Sequence, residues 1–389
     1  MSNFKMVAKT FAGLETILAK ELRLLGAGEI KPGIRVVSFE GDKGFMYKAN
    51  LALRTALRVL KPIAEFKVRS EDEFYRKIYN LDWEEYFDEE DSFAIDSTVH
   101  SDKFTHSRYV TLKAKDAIVD KFRNSKGKRP NIDLQNPDVR INIRISNQLC
   151  TVSLDSSGDS LHKRGYRTQT GEAPINEVLA AGILLHAGWD GLSDFLDPMC
   201  GSGTILIEAA MIALNIPVNI NNKNFGFKKW KDWDPELYEI IEKAQLDRIR
   251  DFKDQIIGYD ISAEAVAKAE ENIENANLSD FIKVFKADFF TSEKFTPKHL
   301  HLVFNPPYDE RLAVNIPEFY QQIGNTLKQN YPDSQAWFIT SEKEAMKNVG
   351  LRTSKRIKLY NGPLEARLLQ YEIYKGSRKP KRKRIKRKR

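Results

Sequence analysis

The chain has 389 residues, 41% of them hydrophobic and 30% charged, which predicts two or three domains with ordinary cores. No apolar run approaches the ~20 residues of a membrane span, no signal peptide is recognisable, and two cysteines exclude a disulfide framework. The formal charge of +8 is local: residues 378–389 carry ten Lys or Arg and no acid, leaving 52 basic against 54 acidic residues elsewhere. A soluble, cytoplasmic, multidomain protein is expected.

The first 57 residues read as a small α+β unit. Phe4–Ala8 suits a strand. Leu14, Ile17, Leu18, Leu22 and Leu25 recur at helical spacing, and Gly26 and Gly28 end that helix. Val36, Val37 and Phe39 suit a second strand turned by Gly41-Asp42, and a helix is predicted from Met46 to Leu57.

A second unit is predicted over residues 58–160. Phe93, Ile95, Ser97 and Val99 alternate with polar residues as in a half-buried strand. Ser107–Phe122 reads as a helix with Leu112, Ala117, Ile118 and Phe122 on its apolar side. A basic loop follows from Lys126 to Pro130. Val139–Ile145 and Leu149–Leu154 suit a strand pair, closed by a turn at Asp155–Gly158.

From residue 161 to 375 strand-like runs alternate with longer helical runs, the pattern of a parallel sheet covered by helices. The strand candidates are Asp194–Asp197, Gln255–Asp260, Ile282–Lys286, His301–Asn305 and Ala336–Thr340, with a closing hairpin from Lys355–Tyr360 and Leu368–Tyr374. Residues 216–254 read as an insertion after the first strand–helix pair. Residues 376–389 form a basic tail, self-repelling and attracted to polyanions.

Four strand ends carry the chemistry. Asp197-Pro198-Met199-Cys200-Gly201-Ser202-Gly203-Thr204 joins a strand to a helix through glycines, where backbone can approach a ligand. It has neither the third dinucleotide glycine nor a Gly-Lys-Ser/Thr phosphate loop. Asp197 repels a pyrophosphate and suits an ammonium. Cys200 suits packing, with nothing in the sequence to lower its pKa. Asp260, followed by Ile261, can accept from both ribose hydroxyls. Asp288 can accept from an adenine amino group, with Phe289 as a ring face.

The fourth end reads Asn305-Pro306-Pro307-Tyr308. The Asn305 amide oxygen and the Pro306 carbonyl offer two fixed acceptors to one exocyclic amino group, and Tyr308 can stack on a flipped base. Together these point to S-adenosylmethionine, with S-adenosylhomocysteine as product and in-line methyl transfer without a metal. His299 and His301 lie two apart but lack accompanying ligands.

The catalytic region resembles class I S-adenosylmethionine-dependent methyltransferases of Rossmann-like α/β fold, with a seven-stranded, mostly parallel sheet. The whole of residues 1–375 resembles THUMP-domain guanine-N2 methyltransferases of RNA, in particular the bacterial 23S ribosomal RNA group. The carrying motifs are Leu154–Arg167, similar to the family's junction between domains, and Ala173-Pro174-Ile175-Asn176-Glu177, similar to its lead into the first catalytic helix. The Asp197–Thr204 loop and Asn305–Leu312 complete them.

The resemblance implies a ferredoxin-like unit, a THUMP domain and a methyltransferase domain in that order. It implies that Pro174, Asn176, Asp197, Pro198, Cys200, Gly201, Gly203 and Thr204 border the cofactor, with Asp260, Ile261, Asp288, Phe289 and Asn305. Asn305, Pro306, Pro307 and Tyr308 would be catalytic. RNA contacts are expected from Lys103, His106, Arg108, Lys113, Lys115, Lys126, Lys128, Arg129, Arg164 and Arg167. Arg378, Lys379, Lys381 and Arg382 of the tail are expected to join them.

Asp309 departs from the glycine of many relatives. Some relatives carry a second fused methyltransferase domain where this sequence has the basic tail, so one activity is expected. The expected partner is 23S ribosomal RNA or a large-subunit precursor, not DNA or membrane, met by a monomer. Transfer RNA as substrate, adenine N6 as target, and a non-catalytic ribosome assembly factor are the alternatives.

Overall fold

The computed structural model describes residues 2–167, 174–307, 315–342, 345–362 and 364–376. It divides into two compact units. The first comprises residues 1–165, 176–182 and 215–250, and the second residues 166–175, 183–214 and 251–389. Among the described residues no helix is long and apolar enough to cross a membrane.

The first unit holds strands β1 (Phe4–Lys9), β2 (Gly28–Pro32), β3 (Val36–Gly41), β4 (Arg58–Lys67), β5 (Ser92–His100), β6 (Asn131–Ile132), β7 (Val139–Ser146) and β8 (Leu149–Asp155). Four helices lie between them: α1 (Glu15–Leu25), α2 (Lys43–Ala52), α3 (Glu71–Tyr79) and α4 (Ser107–Lys126). All eight strands form one sheet in the order β2-β3-β1-β4-β8-β7-β5-β6. The two α+β units read from sequence are therefore fused through β4, which pairs β1 on one edge and β8 on the other. Sequence reading passed over β4 because Pro62 interrupts it. The sheet accommodates that proline with a register shift between Pro62 and Ala64.

Local chemistry sets the helix ends. Gly26, at φ 97°, closes α1 in the left-handed region and returns its N–H to the Leu22 carbonyl. Asp42 accepts from the Phe45 N–H and starts α2 three residues before the predicted Met46. That helix ends at Ala52, short of Leu57. In α4 the buried stripe is Val110, Ala114, Ala117, Ile118 and Phe122, whereas Leu112 faces out, 48% exposed.

Residues 216–254 read from sequence as an insertion in the catalytic region, but 215–250 fall in the first unit. They complete its core. Tyr47 packs against Phe227, Trp233 and Tyr238 at ring separations of 4.5, 5.3 and 6.0 Å. The Lys229 ammonium bonds the carbonyls of Asn136 and Pro137, and Lys231 bonds Asp88.

In the second unit the strands are β9 (Asp194–Asp197), β10 (Ile256–Asp260), β11 (Ile282–Lys286), β12 (Leu300–Phe304), β13 (Ser334–Thr340), β14 (Lys355–Asn361) and β15 (Leu364–Ile373). Their order is β11-β10-β9-β12-β13-β15-β14. Strands β9 to β13 run parallel, and β15 is antiparallel to both neighbours. The order reverses between β9 and β12, the point at which open parallel sheets bind ligands. The remaining helices are α5 (Glu177–Ala187), α6 (Thr204–Ala213), α7 (Pro235–Leu246), α8 (Ala263–Asn275) and α9 (Ile316–Asn330), with one short turn, α10 (Ala345–Asn348). Of these, α7 belongs to the first unit, while α6, α8 and α9 cover the second sheet.

Candidate active site

Strands β11, β10, β9 and β12 are adjacent and parallel, so their carboxyl ends share one edge. Asp288, Asp260, Asp197 and Asn305 lie at those ends. The sequence thus collects its four chemical motifs on one rim.

The loop after β9 is held by its neighbours. The Cys200 N–H donates to the Tyr259 carbonyl at 2.9 Å, and the Gly201 N–H donates to Asp260 Oδ2 at 2.9 Å. Asn272 of α8 donates to the Ser202 carbonyl at 2.9 Å. Gly201 and Gly203 take φ of 52° and 82°, a region that favours glycine. A side chain at Gly203 would press on Ala269, 3.2 Å away, whereas one at Gly201 would enter open space.

Asp197 is 1% exposed and its Oδ1 accepts from the Met199 N–H at 3.1 Å. Burial pushes its carboxyl well above the ordinary range, the Met199 bond opposes this, and the charge of Asp260 adds to it. Burial likewise pushes the Cys200 thiol up, aided by Asp197 and Asp260. Cys200 lies beside Gly258, where α6 packs close to β10. Pro198 is buried with it.

Asp260 Oδ1 accepts from the Ser262 N–H at 2.9 Å. Ile261 beside it is 69% exposed, an apolar side chain displayed at the rim. Asp288 is half-buried and accepts from the Phe290 N–H at 2.9 Å. Phe289 corrects the sequence reading. It is 2% exposed and packs between Phe304 and Tyr331 at 5.8 and 5.6 Å, so its ring has no face left for a ligand.

Asn305 is half-buried at the end of β12, Pro306 is buried and Pro307 half-buried. Tyr308 and Asp309 lie outside the described residues. Pro174 is exposed, and Asn176 caps α5 by accepting from the Val178 N–H.

Two arginines expected at RNA are bonded within the protein, Arg164 buried and Arg167 half-buried. Arg164 is 2% exposed and donates to the Leu161 and Arg54 carbonyls, each at 2.6 Å, and to Asn219 Oδ1. Arg167 donates to the Ile175 carbonyl at 2.9 Å and to the Thr204 hydroxyl at the first position of α6. Sequence reading missed both because Arg54, Asn219 and Thr204 are far along the chain.

The other expected RNA contacts lie in the first unit. Lys113, Lys115 and Arg129 line a cleft of about 480 Å³ with Tyr75 and Arg123, the last not named from sequence. Asp116 and Asp120 also line it. Lys126 pairs with Glu84 at 3.0 Å and Lys128 with Glu90 at 2.8 Å, while Lys103, His106 and Arg108 are exposed. Arg378, Lys379, Lys381 and Arg382 lie outside the described residues. His299 faces Asp333, whereas His301 packs on Trp189 and Phe195.

This rim geometry sits within a segment that matches a known family. The RMKL-like methyltransferase domain matches residues 164–370, the THUMP domain residues 68–155, and the RlmL ferredoxin-like domain residues 5–60. The chain belongs to the RMKL-like methyltransferase family. A Synechocystis sp. protein, slr0064, provisionally named an RNA methyltransferase, is 38% identical over 93% of this chain and 95% of its own length. A Syntrophotalea carbinolica ribosomal RNA large subunit methyltransferase K/L is 38% identical over 95% of this chain but 53% of its own length. The chain thus spans about half the length of the K/L relative it matches. The solved structure of SMU.472, provisionally named a methyltransferase and complexed with S-adenosylhomocysteine, superposes with a TM-score of 0.86. It is 31% identical and covers 97% of this chain and 100% of its own.

Proposed function

We propose that this protein transfers a methyl group from S-adenosylmethionine to guanine N2 in 23S ribosomal RNA. The observation that carries the chemistry is the convergence of Asp197, the Gly201–Asp260 bond, Asp288 and Asn305-Pro306 on adjacent parallel strand ends. The RNA assignment rests on the THUMP match and on the names of the relatives. The division at residues 57, 160 and 375 belongs to this reading.

The residues fit the cofactor. The open space over Gly201 leaves room for a ligand against the loop backbone. Asp197, buried beside Asp260, is a carboxyl whose charged form lacks a cation among its partners, and an ammonium would supply one. Asp260 has both oxygens anchored by backbone amides yet retains lone pairs for ribose hydroxyls. Asp288 would accept from the adenine amino group, and Ile261 would cover the ring. Bound there, S-adenosylmethionine supplies an electrophilic methyl group.

Asn305 and the Pro306 carbonyl would accept the two N–H bonds of the target amino group and hold its nitrogen lone pair toward that methyl. The N–C bond forms as the C–S bond breaks, and the proton lost from nitrogen passes to solvent. The protein contributes positioning and acceptor placement. The exposed basic residues around the first unit's cleft, and the basic tail, would engage RNA phosphates.

The test is transfer of labelled methyl groups to 23S RNA, large-subunit precursors and transfer RNA, followed by nucleoside analysis. N2-methylguanosine in 23S RNA is expected, and its loss in Asn305→Ala with cofactor binding intact assigns the catalytic residue. N2-methylguanosine confined to transfer RNA, or N6-methyladenosine, overturns the substrate or the base. No transfer to any of them overturns the reading.

A further inference from the structure

The last two strands reach past the rest of the second sheet. Phe304, at the end of β12, lies level with Phe338 of β13, and Phe338 with Leu369 of β15. From that level β15 extends toward the edge that carries Asn305, and Leu364 lies five residues further out, about 16 Å. Outward of Arg367, which pairs with Thr340, β15 pairs with β14 alone. The hairpin therefore overhangs the catalytic edge as a two-stranded ribbon.

Its two faces differ. Leu359 and Ala366 pair across the ribbon and are 0% and 1% exposed, so one face is anchored. Arg356, Lys358 and Arg367 lie on the other face. Lys358 and Arg367 are directly opposite, and like charges in that position destabilise an antiparallel pair. Glu365 bridges Lys358 at 2.7 Å, whereas Arg352, Arg356 and Arg367 have no acidic partner among the described residues. Residues 352–367 hold five Lys or Arg against one acid, in a chain whose acids outnumber its bases once the tail is set aside. At the tip, Leu364 displays an apolar side chain, 56% exposed.

Folding gains nothing from opposed cations or from a bare apolar tip. Both suit a polyanion that carries flat apolar rings. Strand β14 is three strand spacings from β12, about 14 Å, a gap that a few nucleotides of extended RNA span.

We infer that the β14–β15 hairpin is a second RNA-contact surface, holding the strand that flanks the target nucleotide. Arg352, Arg356 and Arg367 take its phosphates, and Leu364 meets a base. The inference rests on the RNA methyl-transfer reading above and adds a surface in the second unit to the basic residues of the first.

The experiment uses the full chain and 23S RNA. Arg352→Gln/Arg356→Gln alters two exposed side chains and is expected to raise the KM for RNA at least about fivefold, with kcat within about twofold. The slope of log affinity against log salt is expected to fall by about 1.4, at about 0.7 for each phosphate contact to a single strand. Arg352→Lys/Arg356→Lys keeps the charges and should retain the slope. Melting temperature and affinity for S-adenosylhomocysteine should match wild type in both. A photoreactive benzoylphenylalanine replacing Leu364 should crosslink to RNA several-fold more than one replacing Leu192. Leu192 is 74% exposed just before β9, at the opposite edge of the sheet. An unchanged salt slope in the Gln variant, or equal crosslinking at the two positions, overturns the inference. A parallel loss of cofactor affinity assigns the arginines to the fold and overturns it too. Wild type that binds RNA yet transfers no methyl group would overturn the functional reading alone, because slope and crosslinking need no turnover.

Discussion

The Gly201 amide and the Asp260 carboxylate are bonded at 2.9 Å, 59 residues apart in sequence. The acidic residue proposed to hold the ribose therefore also shapes the loop proposed to hold the methionine end. Asp260 is itself oriented by the Ser262 amide at the start of α8, so loop, strand end and helix start form one unit.

Asp260→Ala removes the acceptor for both amides and the proposed ribose partner together. Cofactor affinity should fall by at least about tenfold, beyond what one neutral hydrogen bond contributes. Asp260→Asn keeps one acceptor oxygen and should retain part of the loop order but lose affinity. Titration calorimetry with S-adenosylhomocysteine checks both, and undiminished affinity in Asp260→Ala would refute the coupling.

Asp197 predicts a trade between stability and binding. Its carboxyl is pushed well up by burial, so the folded, ligand-free protein holds that proton more tightly than the unfolded chain. Between the unfolded value near 3.9 and the raised folded value, stability falls as pH rises. Asp197→Asn keeps an oxygen for the Met199 amide and removes the buried charge. It should leave stability at pH 7 unchanged or higher by about 1 kcal/mol, flatten that pH dependence and weaken cofactor binding about tenfold or more. Denaturant unfolding across pH, alongside ligand titration, tests it, and a less stable Asp197→Asn would count against it.

The catalytic sheet was the most legible part of the fold. Its parallel strands are short apolar runs, four of them ending in Asp197, Asp260, Lys286 and Phe304, and they lie within a residue or two of the predicted positions, whereas β15 starts four residues before the predicted Leu368. What local pattern does not encode is which distant group a polar residue meets. Arg164 looks like an RNA contact until Arg54 and Asn219 close around it, and Phe289 looks like an adenine platform until Phe304 and Tyr331 flank it. Residues 216–254 looked like an insertion in the catalytic region because the chain passes through it before and after. Their aromatic residues complete a core built mainly from residues 1–165.

Arg164 and Arg129 should separate fold from RNA binding. Arg164→Leu deprives two carbonyls and Asn219 of their donor and should destabilise the protein by about 2–4 kcal/mol. Arg129 is exposed at the cleft, and Arg129→Ala should change stability by no more than about 0.5 kcal/mol. If the cleft engages RNA phosphates, that variant should lower the slope of log affinity against log salt by about 1. A full-strength slope in Arg129→Ala would remove this residue from the RNA surface.

His301 should give the protein an acid limb. Burial lowers its pKa to about 4, with His299 adding to the shift, while a bond to the Ala187 backbone opposes it. Its Nε2 has no hydrogen-bond partner among the described residues. The unfolded chain, with a histidine pKa near 6.5, binds more protons than the folded protein between pH 6.5 and 4. Stability therefore falls as pH drops through that window, by about 3 kcal/mol in all, at about 1.4 kcal/mol for each pKa unit. His301→Phe keeps a ring against Trp189 and Phe195 but cannot titrate. It loses the Ala187 bond, so its absolute stability can shift either way, and the diagnostic quantity is the slope. Urea unfolding at half-unit pH steps should show the wild-type loss below pH 6.5 and a shallower one in His301→Phe. Parallel curves for the two proteins would assign the acid limb to other groups.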